Sequence, residues 1–151
     1  MSSPIEIRRA AISDLDHVVP LFDGYRQFYS EPSNPEGARR FLQDRMERQE
    51  SVIFLALEDA RAVAFTQLYP SFSSVSMARI CILNDLFVAP EARGRGTGAK
   101  LLQAAAEYGK STGAVRLVLS TEVTNTAAQS VYERSGWTRD TRFCTYQRSL
   151  Q

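Results

Sequence analysis

The chain has 151 residues, 44% of them hydrophobic, and its 18 basic and 17 acidic side chains give a net charge of +1. This length and composition predict one globular domain, residues 1–151, and the balanced charge gives no reason to expect a nucleic-acid or membrane partner. Two cysteines without metal-ligand spacing and one histidine predict no metal site and a reduced, cytoplasmic setting.

The N-terminal third predicts a strand followed by two helices. Ile5–Arg8 alternates between apolar and polar residues, as a half-buried strand does. Ser13 with Asp16 three residues later resembles a capping box, and apolar residues then recur at helical spacing. A second helix is expected to begin with Asn34 as its N-cap and Pro35 at its first position.

The middle of the chain predicts a hairpin and a further apolar strand. Val52–Leu57 and Ala62–Tyr69 have strand character and are separated by a short polar connection without glycine. Ser71–Ser76 is expected to be a loop, whose short polar side chains are typical of solvent-facing connections. Ile80–Val88 follows as an apolar strand.

Glycine occupies alternate positions in the run Arg93–Gly98, between that strand and a helical stretch at Ala99–Thr112. Glycines expose main-chain N–H groups, and the positive end of the following helix adds to their field, so the run predicts a diphosphate site. A dinucleotide-binding βαβ unit is one alternative, although it would need more βα units than the remaining chain can hold. A P-loop would need Gly-Lys-Ser/Thr, whereas Lys100 follows Ala99.

The C-terminal segment predicts a strand, a short helix and two closing strands. Arg116–Thr121 is the strand, and Asn125 is expected to cap the helix that follows it. Trp137–Arg139 and Arg142–Gln147 are expected to close the sheet. The element order predicts an α/β fold in which a mixed, twisted sheet of about seven strands has helices on both faces.

Two motifs resemble those of the GNAT superfamily of N-acetyltransferases. The first is Arg93-x-x-Gly96-x-Gly98, entered from the strand that carries Asp85-Leu86-Phe87-Val88. The second is Asn125-x-x-Ala128-x-x-x-Tyr132-x-x-x-Gly136-Trp137. The resemblance implies the three-layer GNAT fold and transfer of an acetyl group from acetyl-CoA to a primary amine. It also implies a homodimer as a possible assembly.

The resemblance carries cosubstrate binding and acid catalysis onto particular positions. Tyr132 matches the family's usual proton donor to the departing thiolate, and a phenol with a pKa of about 10 suits that task. Asn125 is both a helix cap and a possible cosubstrate contact. The residues that would bind acetyl-CoA are Leu86, Phe87, Val88, Arg93, Gly94, Arg95, Gly96, Thr97, Gly98, Asn125 and Tyr132.

A general base is less clearly marked. Some relatives that acetylate polyamines carry a glutamate where this chain has Asn84, which cannot accept a proton but could orient a water molecule. Asp85 is adjacent, and strand alternation directs it to the opposite face unless a bulge intervenes. Proton loss through water is the simplest expectation.

An aromatic cluster marks the expected acceptor site. Tyr25, Phe28 and Tyr29 share one face at the end of the first helix, where they would contact an amine or its alkyl chain; core packing is the alternative. The favoured acceptor is a small molecule or a polyamine-like compound. A protein lysine or N-terminus is an alternative acceptor, and an acyl-CoA-binding domain without turnover is an alternative function.

Overall fold

A computed structural model describes residues 3–151, which divide into two units, one ending at Ser120 and one spanning Thr121–Gln151. The helices are α1 (Leu15–Phe28), α2 (Pro35–Glu47), α3 (Thr97–Ser111) and, in the second unit, α4 (Thr126–Arg134). The strands are β1 (Ile5–Arg9), β2 (Val52–Glu58), β3 (Arg61–Ser73), β4 (Ala78–Val88) and β5 (Leu117–Val118). The expectation of one domain over 1–151 stays a prediction.

The five strands form one sheet in the order β1-β2-β3-β4-β5. Neighbours are antiparallel except for β4 and β5, which are parallel. The expected count of about seven strands is wrong for residues 3–151, because Trp137–Arg139 and Arg142–Gln147 form no strand there. Strand propensity describes how well side chains fit a pleated surface and does not supply the neighbouring strand that a ladder needs.

Helices pack on both faces of the sheet, as the element order predicts. One core joins α1 and α2 to the sheet through side chains that include Val18, Leu42 and Phe65, each fully buried. The other joins α3 to the opposite face, where Leu101 packs with Ala64. No helix within residues 3–151 combines the length and the apolar character needed to cross a membrane.

The helix starts follow the sequence at one place and depart from it at another. The Asn34 side chain accepts a hydrogen bond from Gly37 N at 3.0 Å, which confirms the predicted cap of α2. The predicted capping box of Ser13 and Asp16 is wrong. A 3₁₀ turn precedes α1, and Asp14 is the acidic residue that bonds back to the main chain at its start. The Asp14 carboxylate accepts from Ala11 N at 2.8 Å and from the Arg8 guanidinium.

The predicted hairpin of β2 and β3 is confirmed, and β3 and β4 form a second one. Asp59 and Ala60, both at positive φ, make the two-residue turn between β2 and β3, a geometry usually given to glycine or asparagine. The predicted loop Ser71–Ser76 is wrong in its first half, because β3 continues to Ser73 and pairs with Ala78. Cross-strand pairing with β4 overrides the local preference of serine for loops.

Candidate functional site

A β-bulge at Asn84 interrupts the alternation of β4. Gln67 of β3 lies opposite Asp85 and Leu68 lies opposite Leu83, so Asn84 has no partner residue on β3. Neighbouring residues of a regular strand point to opposite faces. At the bulge, Asn84 and Asp85 instead line one cavity. The structure therefore meets the condition under which Asp85 could serve the acceptor site.

The Asp85 side chain is 2% exposed and is held by two amides. Gln67 Nε2 donates to one carboxylate oxygen at 2.6 Å, and Asn84 Nδ2 donates to the other at 2.8 Å. Burial raises the pKa of Asp85, while hydrogen bonds from Asn84, Gln67 and Tyr25 act to lower it. Because burial dominates, this carboxyl group takes up a proton more readily than an exposed aspartate does.

The cavity above Asp85 has a volume of about 400 Å³. Helices α1 and α2 and strands β3 and β4 supply its walls. Four aromatic side chains line it: Phe22, Tyr25, Phe41 and Tyr69. This volume lies in the range of small-molecule sites, and an apolar lining with a few convergent polar groups is typical of them.

Of the three residues expected to contact the acceptor, Tyr25 lines this cavity. Its hydroxyl donates to the main-chain oxygen of Asn84 at 3.0 Å. Phe28 and Tyr29 are not among the residues that line it; they continue the aromatic cluster outward through edge contacts, with ring centroids 5.2 Å apart. Tyr29 in turn contacts Tyr25 at 5.2 Å.

In the described chain, no strand pairs with the other edge of β4 beyond the bulge. Strand β5 pairs with β4 at Cys81 and Ile82, and in the described chain this short ladder does not extend to Leu86–Val88. Ala89 N donates to Val63 O at 2.8 Å, so its main chain faces β3. Since main-chain direction alternates along a strand, Leu86 and Val88 face the open edge, while Phe87 faces β3.

The glycine run forms the turn between β4 and α3. Gly94 and Gly96 have φ of +80° and +77°, the left-handed region that suits glycine. Apart from the adjoining residues and the backbone of the same helix, no described heavy atom lies within 4 Å of the position that a Cβ would take at Gly94, Gly96 or Gly98. Helix α3 begins within the run, at Thr97, which is buried. The turn is thus open to the close approach of a ligand, with main-chain N–H groups at a helix start.

The two arginines of this turn are already engaged by the protein. Arg93 Nε donates to Val88 O at 2.9 Å, and its guanidinium lies 5.6 Å from the centroid of the Phe87 ring. Arg95 pairs with the Glu58 carboxylate through two bonds of 2.6 and 3.3 Å. Main chain, rather than free arginine side chains, is therefore what the turn offers to a diphosphate.

The second unit carries the other predicted motif. The Asn125 side chain accepts from Ala128 N at 3.1 Å, which confirms it as the cap of α4. Tyr132 and Trp137 have ring centroids 6.2 Å apart, and Trp137 N donates to Tyr132 O at 3.0 Å. Gly136 ends the helix at φ +90°. The part of Tyr132 in proton transfer stays a prediction.

Sequence reasoning missed two residues of the site, Gln67 and Tyr69. Gln67 is fully buried on β3 and hydrogen-bonds Asp85. Tyr69 lines the cavity, and burial together with the charge of Asp85 raises its pKa to about 12. The signal for Gln67 was a lone amide in the apolar strand Ala62–Tyr69, since a buried amide needs a polar partner.

Comparison with known proteins agrees with this geometry. The model of the acetyltransferase (GNAT) family matches residues 18–137. An uncharacterized N-acetyltransferase of Bacillus subtilis, YhfO, is 51% identical over 142 residues, which are 94% of this chain and 95% of that protein.

Two solved structures extend the comparison. The crystal structure of a probable acetyltransferase is 47% identical, has a TM-score of 0.92 and covers 97% of this chain and 98% of its own. An aminoglycoside N-acetyltransferase in complex with CoA is 21% identical, with a TM-score of 0.82 over 98% of this chain and 97% of its own. At that identity, the second likeness shows the fold.

Proposed function

The chain belongs to the GNAT family of acetyltransferases, and from that premise we propose that it transfers the acetyl group of acetyl-CoA directly to a small-molecule primary amine, with Asp85 as general base. The observation that carries the proposal is the bulge at Asn84, which turns a buried carboxylate into the cavity. Among residues 3–151, the opposite edge of the same strand has no ladder partner beyond Ile82. Strand β4 therefore has an acceptor site and a cosubstrate site as neighbours.

The residues present fit acetyl-CoA. The turn at Gly94–Gly98 is open at its glycine Cβ positions, as close approach of a diphosphate requires. The main chain of Leu86 and Val88, at the open edge of β4, is placed to pair with an extended arm as a further strand would. When bound, acetyl-CoA supplies the activated acetyl group. A fixed N–H at this edge stabilises the negative charge that develops on the acetyl oxygen.

Asp85 is proposed to accept the proton that the acceptor amine must lose. An alkylamine with a pKa of about 10.4 is mostly an ammonium at neutral pH and must lose a proton before it can attack. The raised pKa of Asp85, caused by burial, makes this carboxylate a stronger base than an exposed one. Asn84 and Gln67 hold its two oxygens in place. Tyr132 is proposed to protonate the departing thiolate.

The cavity supports a small acceptor over a protein. At about 400 Å³ it is walled by α1 and α2 and suits a compact molecule. A lysine or N-terminal amine of a protein remains the alternative acceptor. A screen of amines, amino acids, aminoglycosides and peptides for release of the CoA thiol separates these classes, and turnover with peptides alone would overturn the small-molecule assignment.

Turnover itself is tested at Tyr132. If the chain is a catalyst, Tyr132→Phe should lower kcat while the affinity for CoA, measured by calorimetric titration, is retained. An acyl-CoA-binding protein would bind CoA and release no thiol with any amine, even as the unmodified chain. No heat on titration with millimolar CoA would overturn both functions. A cytoplasmic location stays a prediction.

A homodimer is also proposed. Three large side chains of the C-terminal segment are strongly exposed, Phe143 at 70% and Tyr146 and Leu150 at 92% each. Large contiguous apolar patches are typical of surfaces that another chain covers, and we propose that these side chains contribute to such a surface. Light scattering at working concentration is the test: we expect twice the mass of one chain, and a monomeric mass would remove the proposal.

A further inference from the structure

Few charged side chains line the acceptor cavity. Among the described residues that line it, Asp85 is the one carboxylate and Arg26 the one cation. Arg26 Nη1 donates to Pro32 O at 3.1 Å, and Nη2 lies 3.8 Å from the Glu31 carboxylate. Since its side chain is only 30% exposed, the guanidinium is held at the cavity wall.

The remainder of the lining is neutral and largely aromatic. Phe22 and Phe41 are stacked, with centroids 5.8 Å apart and planes 11° from parallel. Phe22 also stacks on Tyr25 at 6.5 Å. Tyr69 keeps its proton at working pH, because burial raises its pKa to about 12. Such walls bind an apolar or aromatic body by removing it from water and attract one cation near their ring faces.

From this arrangement, and resting on the proposed function, we infer that the acceptor is a compact amine with one positive charge and an apolar or aromatic body. Its ammonium group lies at Asp85, and its body lies against Phe22, Tyr25 and Phe41. A second ammonium on the acceptor would enter a cavity whose single carboxylate is already used and would face Arg26. Placing like charges together in a partly buried site is a common means of rejecting the wrong ligand.

This inference disfavours two acceptor classes. The polyamine-like acceptor expected from the sequence carries two or more ammonium groups and meets one carboxylate at this cavity. An aminoglycoside carries several charges on a larger body than a cavity of about 400 Å³ suits. The inference therefore narrows the acceptor to monoamines, with Arg26 as the residue that sets this specificity.

Hexylamine and 1,6-diaminohexane provide the test, because they share a chain length and differ by one ammonium group. With acetyl-CoA saturating, we expect kcat/KM for hexylamine to exceed that for the diamine by about tenfold, the scale of one partly screened charge repulsion. Arg26→Gln should reduce this ratio toward one. Arg40→Gln, which removes an exposed charge of α2 outside the cavity lining, should leave the ratio as in the unmodified chain.

Binding provides a readout that does not require turnover. In the presence of CoA, hexylamine should raise the melting temperature more than the diamine does, and Arg26→Gln should remove that difference. A diamine preference, or a ratio that Arg26→Gln does not move, would overturn the inference while acetyl transfer stood. Absence of thiol release with every amine would overturn the proposed function, and the thermal shifts would then decide the inference on its own.

Discussion

The hydrogen bond from Gln67 to Asp85 offers a direct test of the general base. Gln67 Nε2 lies 2.6 Å from Asp85 Oδ2 inside the protein, and both side chains are nearly inaccessible to solvent. Gln67→Met removes this donor and keeps the length of the side chain. The side-chain oxygen of Gln67, Oε1, has no hydrogen-bond partner among the described atoms, so its removal breaks no further hydrogen bond.

The expected effect is a displacement of the pH–rate profile. Hydrogen bonds to charged groups contribute about 1.5–3 kcal/mol, and one pKa unit corresponds to about 1.4 kcal/mol. Loss of the donor disfavours the carboxylate, so the pKa of Asp85 rises further above its ordinary value. The acid limb of the kcat/KM profile should therefore shift to higher pH by about one to two units. The loss of rate relative to the unmodified chain should be largest at the acidic end of the profile.

Thiol release at saturating acetyl-CoA and at amine concentrations well below KM, measured between pH 5 and pH 10 in about half-unit steps, gives the profile of kcat/KM. Thr66→Val is the matched control, because Thr66 Oγ1 donates at 2.7 Å to the main-chain oxygen of Asp85 and not to its carboxylate. The control should lower stability by about 1 kcal/mol and leave the limb in place. An unmoved limb in Gln67→Met would refute Asp85 as the base.

Three further changes test the base, the glycine turn and a helix cap. Asp85→Asn should lower kcat by a factor of about 10²–10⁴. It should also raise the melting temperature at pH 8, because folding raises the pKa of Asp85 and the ionised carboxylate therefore opposes folding. This gain in melting temperature should shrink as the pH falls toward about 4. Gly96→Ala, at φ +77°, should cost about 1–2 kcal/mol of stability and raise KM for acetyl-CoA, whereas Gly113→Ala, at φ +82°, should cost stability alone. Asn34→Ala should lower the free energy of unfolding by about 1 kcal/mol in urea denaturation.

The features that the sequence predicted well are those set by local chemistry. Asn34 and Asn125 cap helices because an amide oxygen can accept from the main-chain N–H groups of the first turn. Gly94 and Gly96 stand at positive φ, where a side chain would be strained. The conformation at each of these positions depends on interactions with residues only a few positions away in the chain.

The features that the sequence missed depend on pairing between distant segments. The bulge at Asn84 arises from the register of β4 against β3, which no pattern within Ile80–Val88 encodes. Gln67 belongs to the site because that register brings it opposite Asp85. Arg142–Gln147 has the residue types that favour a strand, but in the described chain it forms no strand because no neighbouring strand pairs with it.

The bulge also gives a structural reason for proposing Asp85 as the base, although Asn84 stands where some relatives that acetylate polyamines carry a glutamate. In an unbroken strand, the side chains of Asn84 and Asp85 would point to opposite faces of the sheet. Asn84 alone would then face the cavity, and the site would have no carboxylate to serve as a base. The extra residue lets Asn84 and Asp85 share the cavity, so the amide becomes a donor to the carboxylate at 2.8 Å. The carboxylate that we propose as the base therefore lies one residue after the position at which some relatives carry a glutamate. The sequence pattern alone directs attention to Asn84, whereas the register of β3 and β4 brings the Asp85 carboxylate to the cavity and supports the proposal that Asp85 is the base.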